Sequence, residues 1–312
     1  MRFVIRADAS LEQGTGHVMR TSSIAEELVR LNYEVYFVGQ TGNISWLNQR
    51  LHKIGFQEIY MSDKNFIPNP HTDILIIDSY LIPPRDSFIF KTKWLLTVSI
   101  VDRETPFYDA EENFHLGPEL DIEVLKKYSN STLHIGLEYF PIRQAIKEVK
   151  QKRLGTPQNG LLITGGGSDP FNFRETVTNI ISSSALHPEN EYEIIDTTKN
   201  YEESLFLASI AITTCGTSCW EFVYLEIPMA IVCAIDNQKE NYNHISTQKL
   251  GHPVGVKKSK TEWEIDKIEL QKFLNNHHLQ ENYRKSTMNI IDGNGASRII
   301  EKILYSAEIK LQ

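Results

Sequence analysis

The stretch "RFVIRADASLEQGTGHVMR", residues 2–20, runs from a short β-branched apolar segment into two glycines one residue apart and then into a histidine. "RFVIRA" reads as a buried strand, and His17 to Leu31 reads as an amphipathic helix. The same alternation continues with "YEVYFVG", a helical stretch through Leu51, "DILIID" after a Pro-rich loop, and "LLTVSIVD". Strands that alternate with helices need crossover connections, which build a parallel sheet.

The second half repeats this grammar. "GLLITGGG" predicts a strand running into a Gly-rich turn, "FRETVTNIISSSAL" a helix, "YEIIDTT" a strand, "EESLFLASIAITTCG" a helix followed by a strand, and "IPMAIVCAID" a further strand. Between Tyr139 and Gly160 the chain is polar, charged and rich in turn formers, so the domain boundary is placed there. The expected fold class is α/β, with two facing doubly wound, Rossmann-like domains of residues 1–140 and 141–312. Ligands of such sheets bind at the carboxyl ends of the strands, and a cleft between the domains is expected.

At 312 residues, with 41% hydrophobic and 23% charged residues, the composition is that of a water-soluble two-domain chain. A formal net charge of −8 argues against nucleic-acid or anionic-membrane partners. The first ten residues lack the apolar core of a signal peptide and no apolar run reaches membrane-spanning length, so a cytoplasmic protein with no integral membrane segment is expected. A monomer is expected. Three clustered cysteines, Cys215, Cys219 and Cys233, do not form a disulfide framework. No histidine or third thiol stands at zinc-ligand spacing beside Cys215 and Cys219, so no metal site and no cofactor is assigned.

The motifs fall where the strands end. "GTGH" lacks the third glycine of a dinucleotide fingerprint and the "GK[ST]" of a P-loop. Gly14 and Gly16 are explained as well by a tight strand-to-helix turn as by a ligand. His17 sits in the first turn of its helix, where the macrodipole disfavours imidazolium and a neutral ring can accept a proton. "ITGGGSDP" places Gly165, Gly166 and Gly167 before the cap candidates Ser168 and Asp169 and before Pro170. Backbone N–H groups there can approach a phosphate, although a capped turn alone would use one or two of the glycines. In "CGTSCWEFVYLEIP", Gly216, Thr217 and Ser218 form a second small-residue loop, and Glu221 lies one turn inside the following helix, where it could accept both hydroxyls of a ribose. "DNQ", Asp236 to Gln238, could equally cap the helix that continues to Leu250.

Taken in order, "RADASLEQGTGHVMR", "DILIIDSY", "GLEYFPIR", "LLITGGGSD" and "EFVYLEIPMAIVCAIDNQKENYNH" resemble the UDP-2,4-diacetamido-2,4,6-trideoxy-β-L-altropyranose hydrolase family of bacterial pseudaminic acid biosynthesis. Related spore-coat polysaccharide proteins share the first motif. The later motifs are similar to those of the wider glycosyltransferase-B superfamily, including the undecaprenyl-linked peptidoglycan N-acetylglucosaminyltransferase. The resemblance covers nearly the whole chain and implies a metal-independent enzyme of surface-sugar synthesis with a UDP-linked sugar as substrate. It assigns His17 to activation of water at the anomeric carbon, Glu221 to the ribose, and Asn237 and Gln238 to the motif that follows. It assigns Gly165, Gly166 and Gly167 to the pyrophosphate, and Asp8 and Tyr80 to the neighbourhood of the sugar. A good leaving group met by backbone donors and a base held against water would supply the chemistry. The chain departs from the family at Ser79, where a histidine is usual, in residues 103–120 and in the bulkier "CGTSCW". An inverting glycosyltransferase, in which His17 activates an acceptor hydroxyl, and a non-catalytic nucleotide-sugar binding protein remain the alternatives.

Overall fold

The computed structural model describes residues 1–10, 14–120, 122–166, 169, 171–183, 192–195, 200–259 and 262–312. Gly167, Ser168 and Pro170 of the predicted phosphate loop lie outside the described residues. The chain divides into two units: residues 1–143 with 293–312, and residues 144–292.

The first unit contains β1 (Arg2–Ala7), α1 (Gly16–Arg30), β2 (Glu34–Val38), α2 (Ser45–Ile54), β3 (Glu58–Tyr60), β4 (Asp73–Asp78), β5 (Leu96–Ile100), β6 (Glu112–His115), α3 (Ile122–Lys127) and β7 (Thr132–Ile135). All seven strands are parallel, in the order β3-β2-β1-β4-β5-β6-β7. β1 lies inside the sheet, next to the central strand β4, with Ile5 opposite Phe37 of β2 on one side and Ile76 of β4 on the other. Because β1 and β4 are covered on both faces, every residue of "DILIID" is buried and apolar side chains fill the run rather than alternate along it. One core layer packs Val4, Leu75 and Ile77 under Phe66, Phe88 and Trp94.

The second unit contains α4 (Gln144–Arg153), β8 (Gly160–Thr164), α5 (Phe173–Ser183), β9 (Glu193–Ile194), α6 (Tyr201–Leu207), β10 (Ala208–Thr214), α7 (Ser218–Leu225), β11 (Met229–Cys233), α8 (Lys239–Thr247), β12 (His252–Lys257), β13 (Trp263–Ile265), α9 (Lys267–Asn275) and α10 (His277–Thr287). Its sheet runs β13-β12-β11-β10-β8-β9, parallel except for the antiparallel edge strand β13. Phe173, Val177 and Phe273 close its core over Leu161, Ile163 and Ile212.

The last helix, α11 (Gly295–Leu311), departs from the division at residue 140/141, because it packs with the first unit. Ile299, Ile300 and Ile303 are buried there. Polar contacts reinforce the docking: Ser297 donates to Glu27 (2.8 Å), Ser306 to Glu112 (2.5 Å), and Lys310 to Glu111 (2.6 Å). Chain order could not reveal this return, since α11 carries an apolar face that either sheet could cover.

Candidate functional site

In each unit the predicted motifs gather where the strand order reverses. In the first unit that point lies between β1 and β4, the first of which continues toward α1 while the second ends in Asp78. The polypeptide leaves β1 through Asp8 and returns at Gly14, whose N–H donates to Ser10 O (2.9 Å) in an isolated antiparallel bridge. Gly14 has φ +80° and open space where a Cβ would stand, so its need for glycine is conformational. Gly16 opens α1, and His17 follows in the first turn, buried.

His17 Nδ1 lies 2.6 Å from Asp78 Oδ1. At that distance the ring nitrogen donates to the carboxylate, which places the proton on Nδ1 and the lone pair on Nε2. Asp78 is fully buried and also receives both arms of Arg20, at 2.5 and 2.6 Å. Arg20 Nη2 continues to Asp102 Oδ2 (3.3 Å), which in turn accepts from the Tyr80 hydroxyl (2.6 Å). The Tyr80 ring meets the imidazole edge-on, with centroids 4.3 Å apart. His17, Asp78, Arg20, Asp102 and Tyr80 therefore form one continuous polar network beneath the carboxyl ends of β4 and β5.

The electrostatics of this network oppose burial. Desolvation pushes the Asp78 carboxyl up, but Arg20 and His17 outweigh it and bring the group to about 2. Asp102 is likewise raised by burial and lowered, on balance, by Arg20 and the Tyr80 hydroxyl. Burial and the neighbouring Asp102 carboxylate raise the Tyr80 phenol far above its ordinary value, so Tyr80 stays a hydrogen-bond donor.

Asp8 stands apart from His17. Its Oδ1 accepts from Gln40 N (2.9 Å) and pairs with Arg6 Nη1 (2.7 Å), and its Oδ2 accepts from Ser79 (3.0 Å). Ser79, where the family pattern has histidine, also accepts from Leu81 N and so fixes the turn that follows Asp78.

In the second unit the reversal lies between β8 and β10. The loop after β8 and the loop after β10 are joined by Thr214 Oγ1, which donates to Gly165 O (3.2 Å). A Cβ on Gly165 would fall 2.1 Å from Asp169 Oδ1, and Gly166 needs φ +95° with open space beside it. Asp169 caps α5 by accepting from Phe173 N (2.9 Å) and Arg174 N (3.1 Å). Those helix-end donors are thus taken by a carboxylate, and the Gly166 amide donates to Thr164 Oγ1 (3.2 Å).

The α7 terminus differs. Thr217 stands at its cap position without a side-chain hydrogen bond to the helix, and Gly216, Thr217 and Ser218 are partly exposed. Gln238 sits against this loop, its Nε2 3.6 Å from where a Gly216 Cβ would be, while its Oε1 accepts from Ala234 N (3.0 Å). Asp236–Gln238 form a 3-10 turn leading into α8, and Asn237 is exposed there. Glu221 Oε2 accepts from the Tyr201 hydroxyl at 3.1 Å. Cys215, Cys219 and Cys233 are buried, and burial raises the Cys215 thiol well above its usual range, as expected of packing residues.

No protein-family model matches the chain. A curated but uncharacterised protein of Methanocaldococcus jannaschii is 27% identical over 284 residues; the match covers 78% of this chain and 58% of that protein, so the chain spans little more than half the relative's length. Among solved structures, a glycotransferase of kitacinnamycin superposes with a TM-score of 0.60 (11% identity, 98% of this chain and 99% of that one). A UDP-N-acetylglucosamine 2-epimerase gives 0.57 (11%, 99% and 97%), and the UDP complex of MnaA from S. aureus gives 0.60 (12%, 100% and 98%). The chain has the glycosyltransferase-B fold.

Within this glycosyltransferase-B fold the structure joins His17 with Tyr80, and the Gly165 loop with Gly216 and Gln238, while it sets Asp8 in a separate cluster. The residues that sequence reading left unassigned are Asp78, Arg20, Asp102 and Tyr201. Two of them carried a signal: aspartates close both "DILIID" and "LLTVSIVD", and parallel neighbours bring such strand ends side by side. Arg20 stands three residues after His17, on the same face of α1. Among the described residues no helix is long and apolar enough to cross a membrane.

Proposed function

We propose that this protein uses a UDP-linked sugar as donor for inverting glycosyl transfer, with His17 as general base. The observation that carries the reading is the Asp78–His17 pair at the topological reversal of the first sheet. A carboxylate that holds one imidazole nitrogen leaves the other as the proton acceptor, and the same carboxylate stabilises the imidazolium that forms. As the acceptor oxygen bonds to the anomeric carbon, its proton passes to His17 Nε2 and the bond to the UDP oxygen breaks. UDP leaves as an anion, and His17 returns its proton to solvent. Such a base commonly contributes a factor of about 10² to 10⁴.

In this reading the second unit supplies the nucleotide contacts. The amides and hydroxyls of Thr217 and Ser218, beside the Gly165 loop, offer donors to the pyrophosphate. Glu221, oriented by Tyr201, accepts the ribose hydroxyls, and Gln238 braces the Gly216 loop. The glycosyltransferase and epimerase likenesses support a UDP-sugar enzyme and favour transfer over hydrolysis.

Hydrolysis is the second reading, favoured by the "GTGH" motif and its likeness to the pseudaminic acid hydrolases; water would then replace the acceptor at the same base. The deciding experiment incubates the purified protein with a panel of UDP-sugars, with and without candidate acceptor sugars, and measures free UDP. Release that depends on an acceptor establishes transfer. Equal release without acceptor, with heavy oxygen from water entering the sugar, establishes hydrolysis. No release under either condition overturns the enzymatic reading and leaves a nucleotide-sugar binding protein.

A further inference from the structure

A cavity of about 250 Å³ opens in the first unit, lined by Arg6, Asp8, Gln40, Asp63, Leu81, Ile82, Pro83 and Asp86. It adjoins the polar network of His17 through consecutive residues, since Ser79, which follows Asp78, donates to Asp8. Its chemistry is different. Arg6 is about nine-tenths buried, with Nη1 2.7 Å from Asp8 Oδ1 and Nε 2.9 Å from Asp63 Oδ1. Both contacts are ion pairs without hydrogen-bond geometry, and neither buried nitrogen has another hydrogen-bond acceptor among the described residues. An unsatisfied buried donor is costly, and one that lines a cavity can be satisfied by whatever enters it.

The acceptors are also present. Both oxygens of Asp8 are engaged, which makes it a wall. Asp63 pairs through Oδ1, and Asp86 Oδ1 accepts from Phe88 N (2.8 Å); the second oxygen of each has no partner among the described residues. Unfilled donors beside unfilled acceptors suit hydroxyl groups, which donate and accept at once. Leu81, Ile82 and Pro83 present an aliphatic wall of the kind the C–H face of a sugar ring lies against, and Leu81 is 59% exposed. Three carboxylates against one guanidinium repel phosphates and carboxylates. The volume falls below the roughly 300–1,000 Å³ of sites for drug-sized ligands, which suits one ring and not a nucleotide.

We propose that this cavity is a monosaccharide subsite that takes an uncharged pyranose and excludes anionic sugars. The ring has two possible sources, the sugar of the UDP-linked donor or a separate acceptor sugar; the assignment to either rests on the reaction proposed above, whereas the subsite itself does not.

The test titrates glucose, N-acetylglucosamine, glucuronate and glucose 6-phosphate into the full-length protein without nucleotide, followed by saturation-transfer NMR and calorimetry. Wild-type protein and two variants are compared. Leu81→Arg alters an exposed side chain and lays a guanidinium across the cavity toward Asp63 and Asp86, and Asp86→Asn keeps the acceptor for Phe88 N. The neutral sugars should bind saturably in the millimolar range, the two acids at least about tenfold more weakly, and Leu81→Arg should weaken neutral-sugar binding by at least about tenfold with UDP affinity unchanged. Asp86→Asn should narrow the gap between glucose and glucose 6-phosphate. Absence of saturable neutral-sugar binding, equal binding of glucose 6-phosphate, or indifference to Leu81→Arg overturns the subsite.

With turnover as readout, Leu81→Arg raises the KM of the UDP-sugar if the donor's sugar sits there and the KM of the acceptor if the acceptor does. Sugar binding without UDP release from any UDP-sugar would keep the subsite and overturn the reaction. Turnover with both KM values unaltered in Leu81→Arg would do the reverse.

Discussion

His17 is defined by the nitrogen that faces the protein. Because Nδ1 is committed to Asp78, the ring's tautomer is set before any substrate arrives, and the acceptor nitrogen is Nε2. Replacing His17 with alanine or phenylalanine should lower turnover by about 10²- to 10⁴-fold while UDP affinity, measured calorimetrically, stays unchanged. Asp78→Asn should cost a loss in the same range by releasing the tautomer, and the ¹⁵N shifts of His17 would report the change directly. A wild-type rate in either variant would remove His17 from the chemistry. The same carboxylate makes stability depend on pH. Its folded-state value of about 2 lies below its ordinary 3.8, so the unfolded chain binds the proton more readily. The stabilisation is complete above the ordinary value and is lost as pH falls from about 4 to 2, amounting to ~2 kcal/mol for this fully buried group. Asp102, lowered in the same sense, adds to it. Urea unfolding across this window should show the slope in the wild type and a flatter one in Asp78→Asn.

At the scale of elements, the two helix starts in the second unit have been given different tasks. α5 is capped by Asp169, and Asp169→Ala should cost roughly 1 kcal/mol of unit stability, measured by chemical denaturation. Removal of that carboxylate also frees Phe173 N and Arg174 N. α7 begins without a side-chain cap at Thr217 and carries Glu221 one turn on. Glu221→Ala should weaken UDP binding by about 1.5–3 kcal/mol, roughly one to two decades, if the carboxylate grips the ribose. Against 2′-deoxy-UDP the same substitution should have a much smaller effect, and an equal loss for both nucleotides would remove Glu221 from the ribose. Most of these elements are legible in sequence because their cues are local: "GLLIT" into glycines is a strand running into a turn, and "NFRETV" after Asp169 opens a helix. Strands such as β6 and β7 lack these local cues. "ENFH" and "TLHI" are four-residue runs mixed with polar side chains, and the sheet stabilises them by pairing more than their composition does.

At the scale of the molecule, the chain crosses from the first unit to the second after Arg143 and comes back at Gly293. α11 buries Ile299, Ile300 and Ile303, each worth roughly 1.5–3 kcal/mol, which together rival the whole stability of an ordinary domain. A protein ending at residue 292 should therefore lose the folded first unit, while residues 144–292 keep theirs. Limited proteolysis with peptide mapping would show cleavage confined to residues 1–143, and a protected first unit in the truncated protein would contradict the docking of α11.

The alternation of apolar runs and amphipathic helices, the glycines at strand ends and the Asp169 cap of α5 were legible in the sequence alone, because each depends on neighbours a few residues away. From these follow two parallel-sheet units, the placing of Gly165 and Gly216 just after strands, and that of His17 and Glu221 in the first turns of the helices that follow strands. Only tertiary structure decided that Asp78, sixty-one residues from His17, would hold its ring, that Arg20 would bind Asp78 and Asp102 at once, and that α11 would return to the first unit. These pairings arise from strand order in a parallel sheet, where residues distant in the chain become adjacent through crossovers, and no local pattern encodes which strand will lie beside which.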